Sequence, residues 1–270
     1  MKLFYRETGE GCPLIILHGL YGSSDNWMSF ARKLGNHFRV FLPDQRNHGQ
    51  SPHSDIHTYE ALSNDLAEFI REHGIEKPVV IGHSMGGKTA MYLAASFPEL
   101  IRAMIVIDIS PGAYSTSSES NPGILSHTDI IEILCHLPVE NFSTREEAEA
   151  ELATHIRFNR VRQFLLKNLT RSDAGGFRWK MNIKALKNNI HNIFAGLNKA
   201  GVLSGNYPVM FIKGELSEYI SPKDMALINE VFPHAEIKNI QGAGHWIHAE
   251  KPGELMNAIM EFLRAHSLCS

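Results

Sequence analysis

Short, continuous apolar runs recur through the first part of the chain, and each closes on a glycine or a polar cluster. Residues 13–17 (PLIIL), 38–44 (FRVFLPD), 78–81 (PVVI) and 101–109 (IRAMIVIDI) are of this kind. Such runs predict strands buried on both faces of a sheet. Residues 3–8 alternate instead and predict an edge strand. Between the runs the period becomes helical. Residues 25–34 predict a helix with Ser23 or Ser24 as cap, and residues 59–73 place Leu62, Leu66, Phe69 and Ile70 on one face before Gly74. A further helix-compatible stretch covers residues 88–95. The same rhythm returns late in the chain. A strand is expected at 208–214, a helix at 222–231 with Ser221 as cap and Pro222 in its first turn, a strand at 235–240, and a closing helix at 252–265. Strands alternating with helices imply an α/β fold with a mostly parallel sheet and right-handed crossovers.

From about residue 112 to 201 that rhythm stops. The serine-rich segment 114–123 predicts a loop. Helices are expected at 129–136, at 148–156 after a capping-box pattern in 143–147, at 161–169 and at 183–197. A mostly helical insert between strands predicts a cap over the carboxyl edge of the sheet. The expected organisation is a core of residues 1–111 and 202–270 and a helical cap subdomain of residues 112–201.

The chain is organised around residues 77–93, KPVVIGHSMGGKTAMYL. Here G-x-S-x-G sits between an apolar run and a helix, which places Ser84 at the tip of a sharp strand-to-helix turn. A serine hydroxyl is a weak nucleophile at neutral pH and needs a hydrogen-bonded base. His245 supplies it, in the glycine-flanked loop GAGHW after the last strand. His248 is expected to pack or face solvent, and His245 with His248 lacks further ligands at zinc spacing. The acid that orients the histidine has two candidates. Gly214-Glu215-Leu216-Ser217 carries serine where an aspartate often follows that strand, with Glu218 one residue on. Asp108 ends the strand after the nucleophile's helix, in an apolar run where a carboxylate is costly without a partner. Asp108 is preferred over Glu218. The backbone N–H groups of Leu20 and Met85 are the expected oxyanion hole. Asp44 and Arg46 are expected to brace their loop as a pair, and Lys88 to be structural or to meet a nearby acid. The order serine, acid, histidine is that of the α/β-hydrolases.

Composition narrows the choices. The chain has 270 residues, enough for one core with an inserted subdomain, and its net charge of −3 gives no footprint for nucleic acid or an anionic membrane. No apolar run nears the roughly 18 residues of a membrane span, and the first residues lack a signal-peptide core. Three scattered cysteines, Cys12, Cys135 and Cys269, read as free thiols and so as a cytoplasmic protein. Fifteen histidines are too many for one site, so most are expected to pack.

The motifs LHGLYGSSDNW, DQRNHGQSPH, GHSMGGKTAM, VIDISP and GAGHWIHAEKP together resemble the α/β-hydrolase esterases related to bacterial YbfF. The resemblance spans residues 17–252 and is weakest in the insert. It implies Ser84 as nucleophile, His245 as base and Asp108 as acid, acting on carboxylic esters or acyl thioesters through an acyl-enzyme. It implies no metal and no organic cofactor, and a small-molecule ester as the partner. The serine triad also serves cofactor-free haloperoxidases, C–C hydrolases and lyases, and the fold includes non-catalytic binding members. The aromatic and aliphatic residues Phe142, Phe158, Phe164, Leu165, Trp179 and Phe194 are candidates for a pocket wall, each expected mainly in the core of the cap.

Overall fold

The computed structural model describes residues 1–115, 126–197 and 207–268. Its strands are β1 (Tyr5–Thr8), β2 (Cys12–Leu17), β3 (Phe38–Pro43), β4 (Val79–His83), β5 (Ala103–Ile107), β6 (Leu169–Arg171), β7 (Phe177–Trp179), β8 (Val209–Gly214) and β9 (Glu236–Ile240). Seven of them form one sheet in the order β1-β3-β2-β4-β5-β8-β9. Only β1 runs antiparallel to its neighbour; the other ladders are parallel. The chain leaves β2 towards β3 on one side, then returns to place β4 on the other. The gap beyond the carboxyl ends of β2 and β4 is therefore a topological switch point, where open α/β sheets bind ligands.

Helices cover both faces. They are α1 (Met28–Leu34), α2 (Tyr59–Glu72), α3 (Met85–Ser96), α4 (His127–His136), α5 (Arg145–His155), α6 (Asn159–Leu166), α7 (Ile183–Asn188), α8 (Ile190–Phe194), α9 (Pro222–Val231), α10 (Ile247–Glu250) and α11 (Pro252–Ala265). Trp27, Phe30 and Leu34 around α1 meet Ile259, Phe262 and Leu263 of α11 on one face of the sheet. Leu66 and Phe69 of α2, Met91 and Leu93 of α3 and Ile228 of α9 pack on the other. The strands β4 and β5 are buried at every position, which is why they read as unbroken apolar runs.

Local chemistry sets the ends of several helices. Thr58 caps α2 by accepting from Ala61 N–H, and Ser221 with Asp224 forms a capping box on α9. Ser23 caps a short 3-10 turn at Ser24–Asn26, so the expected helix from residue 25 starts in earnest only at Met28. In the insert Thr144, not Ser143, caps α5. The helix expected over 183–197 is broken at Asn189, whose side chain donates to Ala185 O and to Asp55 O at 2.8 Å each. The hairpin of β6 and β7 was not foreseen, because its three-residue strands are too short to show a period.

The segment between β5 and β8 buries an apolar cluster, including Ile131, Leu134, Leu152, Leu165 and Phe177, that is continuous with Tyr59, Leu62, Met85 and Tyr92 of the core. Most of the serine-rich segment 114–123, and residues 198–206 at the junction of the insert with the core, lie outside the described residues. Lys88 of α3 joins the two ends of the insert. Its buried Nζ donates to Gly112 O and Ala195 O rather than to a carboxylate. Burial lowers its pKa to about 7. Asn168 Nδ2 donates to Tyr21 O at 2.8 Å and Asn182 N–H to Asn47 O at 2.9 Å, tying the insert to two core loops.

Two expectations need correction. Cys12 is disulfide-bonded, whereas Cys135 is free and exposed, so three free thiols is not the state of this chain. Asp44 and Arg46 both brace their loop but do not pair. Asp44 accepts from Ser24 N–H at 2.6 Å and Gln50 N–H at 2.8 Å. Arg46 makes a fork with Asp65, Nε to Oδ2 at 2.6 Å and Nη2 to Oδ1 at 2.9 Å. Among the described residues no helix is long and apolar enough to cross a membrane.

The Arg46–Asp65 pair is buried on both sides. Removing one partner leaves an uncompensated charge, at a cost of about 3–5 kcal/mol. Asp65→Ala should lower the urea midpoint correspondingly; a midpoint within error of the parent would show that the loop does not depend on the pair.

Candidate active site

Ser84 follows β4 directly and precedes α3. Its backbone is held at φ +52°, a conformation that costs a non-glycine residue about 1–3 kcal/mol. The turn is fixed from both sides: Ser84 N–H donates to Ile107 O at 3.0 Å, and Ser84 O accepts from Gly87 N–H at 2.8 Å. Closeness of backbone explains the flanking glycines. A Cβ on Gly82 would lie 2.3 Å from Gly86 O, and one on Gly86 would lie 2.5 Å from Leu17 O. Ser84 occupies the cap position of α3, yet its hydroxyl makes no capping hydrogen bond. The hydroxyl is thus left for other work, above a helix N-terminus that favours negative charge.

Asp108 lies just past β5, at φ +53° and 0% exposed. Its carboxylate is met by three donors. His245 Nδ1–H donates to Oδ2 at 2.8 Å, Ser217 Oγ–H donates to the same oxygen, and Gly214 N–H donates to Oδ1 at 3.0 Å. Charged hydrogen bonds of this kind contribute about 1.5–3 kcal/mol each, which offsets the burial of the carboxylate. Glu218 is exposed. The serine that stands where an aspartate often follows β8 is therefore part of the site: it donates to the aspartate that reaches in from β5.

His245 sits in the loop between β9 and α10. His83 Nε2–H donates to its carbonyl at 2.9 Å, and the Tyr219 ring stacks on its imidazole at 3.9 Å. Ser84, His245 and Leu20 line one cavity of about 340 Å³. Its walls also include Trp27 and His248 from the core, His127 and Ile130 of α4, and Val161 and Phe164 of α6. This volume is at the small end of ligand pockets. Leu20 lies in a turn closed by Gly22 N–H on Gly19 O at 3.0 Å, and Met85 is the first residue of α3. The sequence candidates Ser84, His245, Leu20 and Met85 thus meet at the switch point, with Asp108 behind them.

A profile of the family described as alpha/beta hydrolase fold matches residues 13–132. The chain is 37% identical over 258 residues to a zebrafish (Danio rerio) protein named sn-1-specific diacylglycerol lipase ABHD11, covering 95% of this chain and 80% of that one. It is 34% identical to Esterase YbfF of Escherichia coli, covering 93% and 92% of the two chains. The chain belongs to the α/β-hydrolase family. A solved α/β-hydrolase structure described as a marine microorganism esterase matches it with a TM-score of 0.92 at 47% identity, over 97% of this chain and 99% of the other. The likeness to the YbfF esterases drawn from the motifs therefore holds along nearly the whole chain.

Of the expected wall residues, Phe164 and Leu165 line the cavity. Phe142 and Trp179 pack against the core of the insert, Phe158 is exposed, and Phe194 lies 5.8 Å from the His127 ring. Tyr219 and His127 carry no sequence motif, and His248 was expected to pack or face solvent; its ring stacks on Trp27 at 4.4 Å and lines the cavity. Among the described residues no group of three or more His, Cys, Asp or Glu could hold a metal ion.

Several buried histidines support the floor of the site. His18 accepts from Gln45 N–H at 3.0 Å through Nε2 and donates to Gly19 O at 2.9 Å through Nδ1. His48 accepts from Tyr21 N–H and donates to Arg46 O. Burial lowers His18 to about 4 and His48 to about 3, and it also holds His83 and His57 well below the ordinary value. All are neutral in the folded protein. Unfolded imidazoles bind protons below about pH 6.5, so the contribution is complete above that pH and is lost as pH falls towards 4 and 3. His18 then withdraws roughly 3 kcal/mol and His48 roughly 5 kcal/mol at the acid end. The urea midpoint should hold between pH 7 and 8 and drop steeply from pH 6.5 to 4.5. A flat midpoint across that acid range would contradict the neutral assignment.

Proposed function

We propose that this α/β-hydrolase cleaves carboxylic esters, and by the same chemistry acyl thioesters, through Ser84, His245 and Asp108. The observation that carries the proposal is the 2.8 Å hydrogen bond from His245 Nδ1–H to Asp108, made by a ring that shares its cavity with Ser84. With its Nδ1 proton given to the carboxylate, His245 has a bare Nε2 for the Ser84 proton. Ser84 Oγ attacks the ester carbonyl, and the oxyanion takes hydrogen bonds from the N–H groups of Leu20 and Met85. His245 then protonates the leaving alcohol or thiol, and an acyl-Ser84 remains. Water gives a proton to His245 and attacks the acyl carbon, and the proton returns to Ser84 as the acid leaves. Asp108 accepts from His245 Nδ1–H and stabilises the imidazolium in both halves.

In this proposal residues 112–201 are the cap of a core formed by 1–111 and 202–270. Val161, Phe164 and Leu165 of α6 give the cavity an apolar wall opposite Ser84. A cavity of about 340 Å³ suits a short or medium acyl chain. Acylglycerols are the first natural class to try, because the zebrafish relative is named a diacylglycerol lipase. A cytoplasmic location, expected from three thiols, now rests among the described residues on Cys135 alone.

Purified protein should hydrolyse p-nitrophenyl esters, with rates falling as the acyl chain outgrows the cavity, and a fluorophosphonate should label Ser84 stoichiometrically. Ser84→Ala should lower kcat by about 10⁴- to 10⁶-fold and abolish labelling. Parent protein with neither turnover nor labelling would overturn the proposal.

A further inference from the structure

Tyr219 stands outside the set of residues that the reaction uses, yet its ring is closer to His245 than that of His83, at 3.9 Å against 4.8 Å. The two planes are 20° from parallel. The backbone on both sides of this ring is tied down. Tyr219 N–H donates to Ser217 Oγ at 3.3 Å, the same hydroxyl that donates to Asp108, and Tyr219 O accepts from Tyr114 O–H at 2.6 Å. The phenol oxygen lies 2.8 Å from His127 Nε2. His127 opens α4 in the inserted segment, and its carbonyl accepts from Tyr21 O–H at 3.0 Å. Its Nδ1 is buried with no hydrogen-bond partner, so among the described residues the contact with Tyr219 is the one hydrogen bond that holds this ring. Burial keeps the imidazole uncharged and the phenol protonated.

An imidazole held by a single hydrogen bond at Nδ1 is free to swing about that bond, and a general base that swings loses its line to the nucleophile. A parallel aromatic face at van der Waals distance removes that freedom. The same face is electron-rich and is attractive to the imidazolium that forms as His245 takes the Ser84 proton. A contact of this kind is stronger in the transition state than in the resting enzyme, so it acts on kcat.

Accepting the reading of His245 as the base, we propose that Tyr219 is its positioning residue, a wall set in place by His127 from the inserted helical segment. The base is then gripped from both parts of the molecule: Asp108 holds its edge from the sheet, and Tyr219 holds its face with an anchor in the insert. The wall does its work through His245, and His127 does its work through the wall.

The test is a kinetic series read as kcat against KM, with the rate of Ser84 labelling by a small fluorophosphonate as a second readout. Tyr219→Leu removes the wall and should lower kcat and the labelling rate together by about 100-fold, with KM within about threefold. Tyr219→Phe keeps the ring and should recover all but a two- to tenfold loss, the worth of one neutral hydrogen bond. His127→Phe should match it, and the double variant should be no slower than either single, because both remove the same bond. A Tyr219→Leu enzyme with normal kcat and labelling, or with raised KM alone, would overturn the proposal. So would independent, multiplying losses in Tyr219→Phe and His127→Phe, a comparison that stands even where Tyr219→Leu fails to fold. His245→Ala is run beside them. Were it to keep normal labelling, the reading of the base would fail; loss of labelling there with an unaffected Tyr219→Leu would refute the wall alone.

Discussion

Everything at this site depends on satisfying one carboxylate that is buried from solvent. Asp108 is fully buried, and an isolated carboxylate there would take a proton rather than remain charged. It is met by donors from three separate segments: the Gly214 amide at the end of β8, the Ser217 hydroxyl in the loop beyond, and the His245 ring after β9. The aspartate sits at φ +53°, and Ser84 on the neighbouring strand end at φ +52°. Both strained residues are held by ladders that continue past the strands, through Asp108 N–H on Ile212 O and Ser84 N–H on Ile107 O. The sheet thus supplies the strain energy and the alignment in the same hydrogen bonds.

The insert completes what the sheet begins. Its helix α6 gives the cavity an apolar side, and α4 brings His127 to the Tyr219 hydroxyl. Both ends of the insert converge on the buried amine of Lys88, four residues after Ser84 in the first turn of α3. This amine, buried between two carbonyls and 4.9 Å from the Tyr114 ring, relates the insert to the helix that follows Ser84.

The alternation of apolar runs and helical periods carried the α/β fold in the sequence, because buried parallel strands have no wet face to blur the signal. The motif around Ser84 was legible for a steric reason: only glycine fits at 82 and 86. His245 was legible from the loop glycines around it, and Asp108 from its unsuitability for an apolar run. Ser217 was visible only as a missing aspartate, since nothing local says that it would donate to a residue from another strand. Tyr219 and His127 meet across 92 residues of sequence and leave no local pattern. Cys12 looked like a free thiol for the same reason, as cysteine spacing cannot show which side chains approach in space. The Arg46 pairing with Asp65 instead of Asp44 was hidden likewise, because charge spacing in a loop does not fix which carboxylate a helix presents.

The acid is proposed to lie just past β5 and not in the loop after β8. Comparing kcat of Asp108→Asn and Glu218→Gln on one ester decides it. Asp108→Asn should lose about 10⁴-fold, as the histidine loses its tautomer and its counter-charge, with Glu218→Gln close to the parent. A crippled Glu218→Gln beside a nearly normal Asp108→Asn would contradict it.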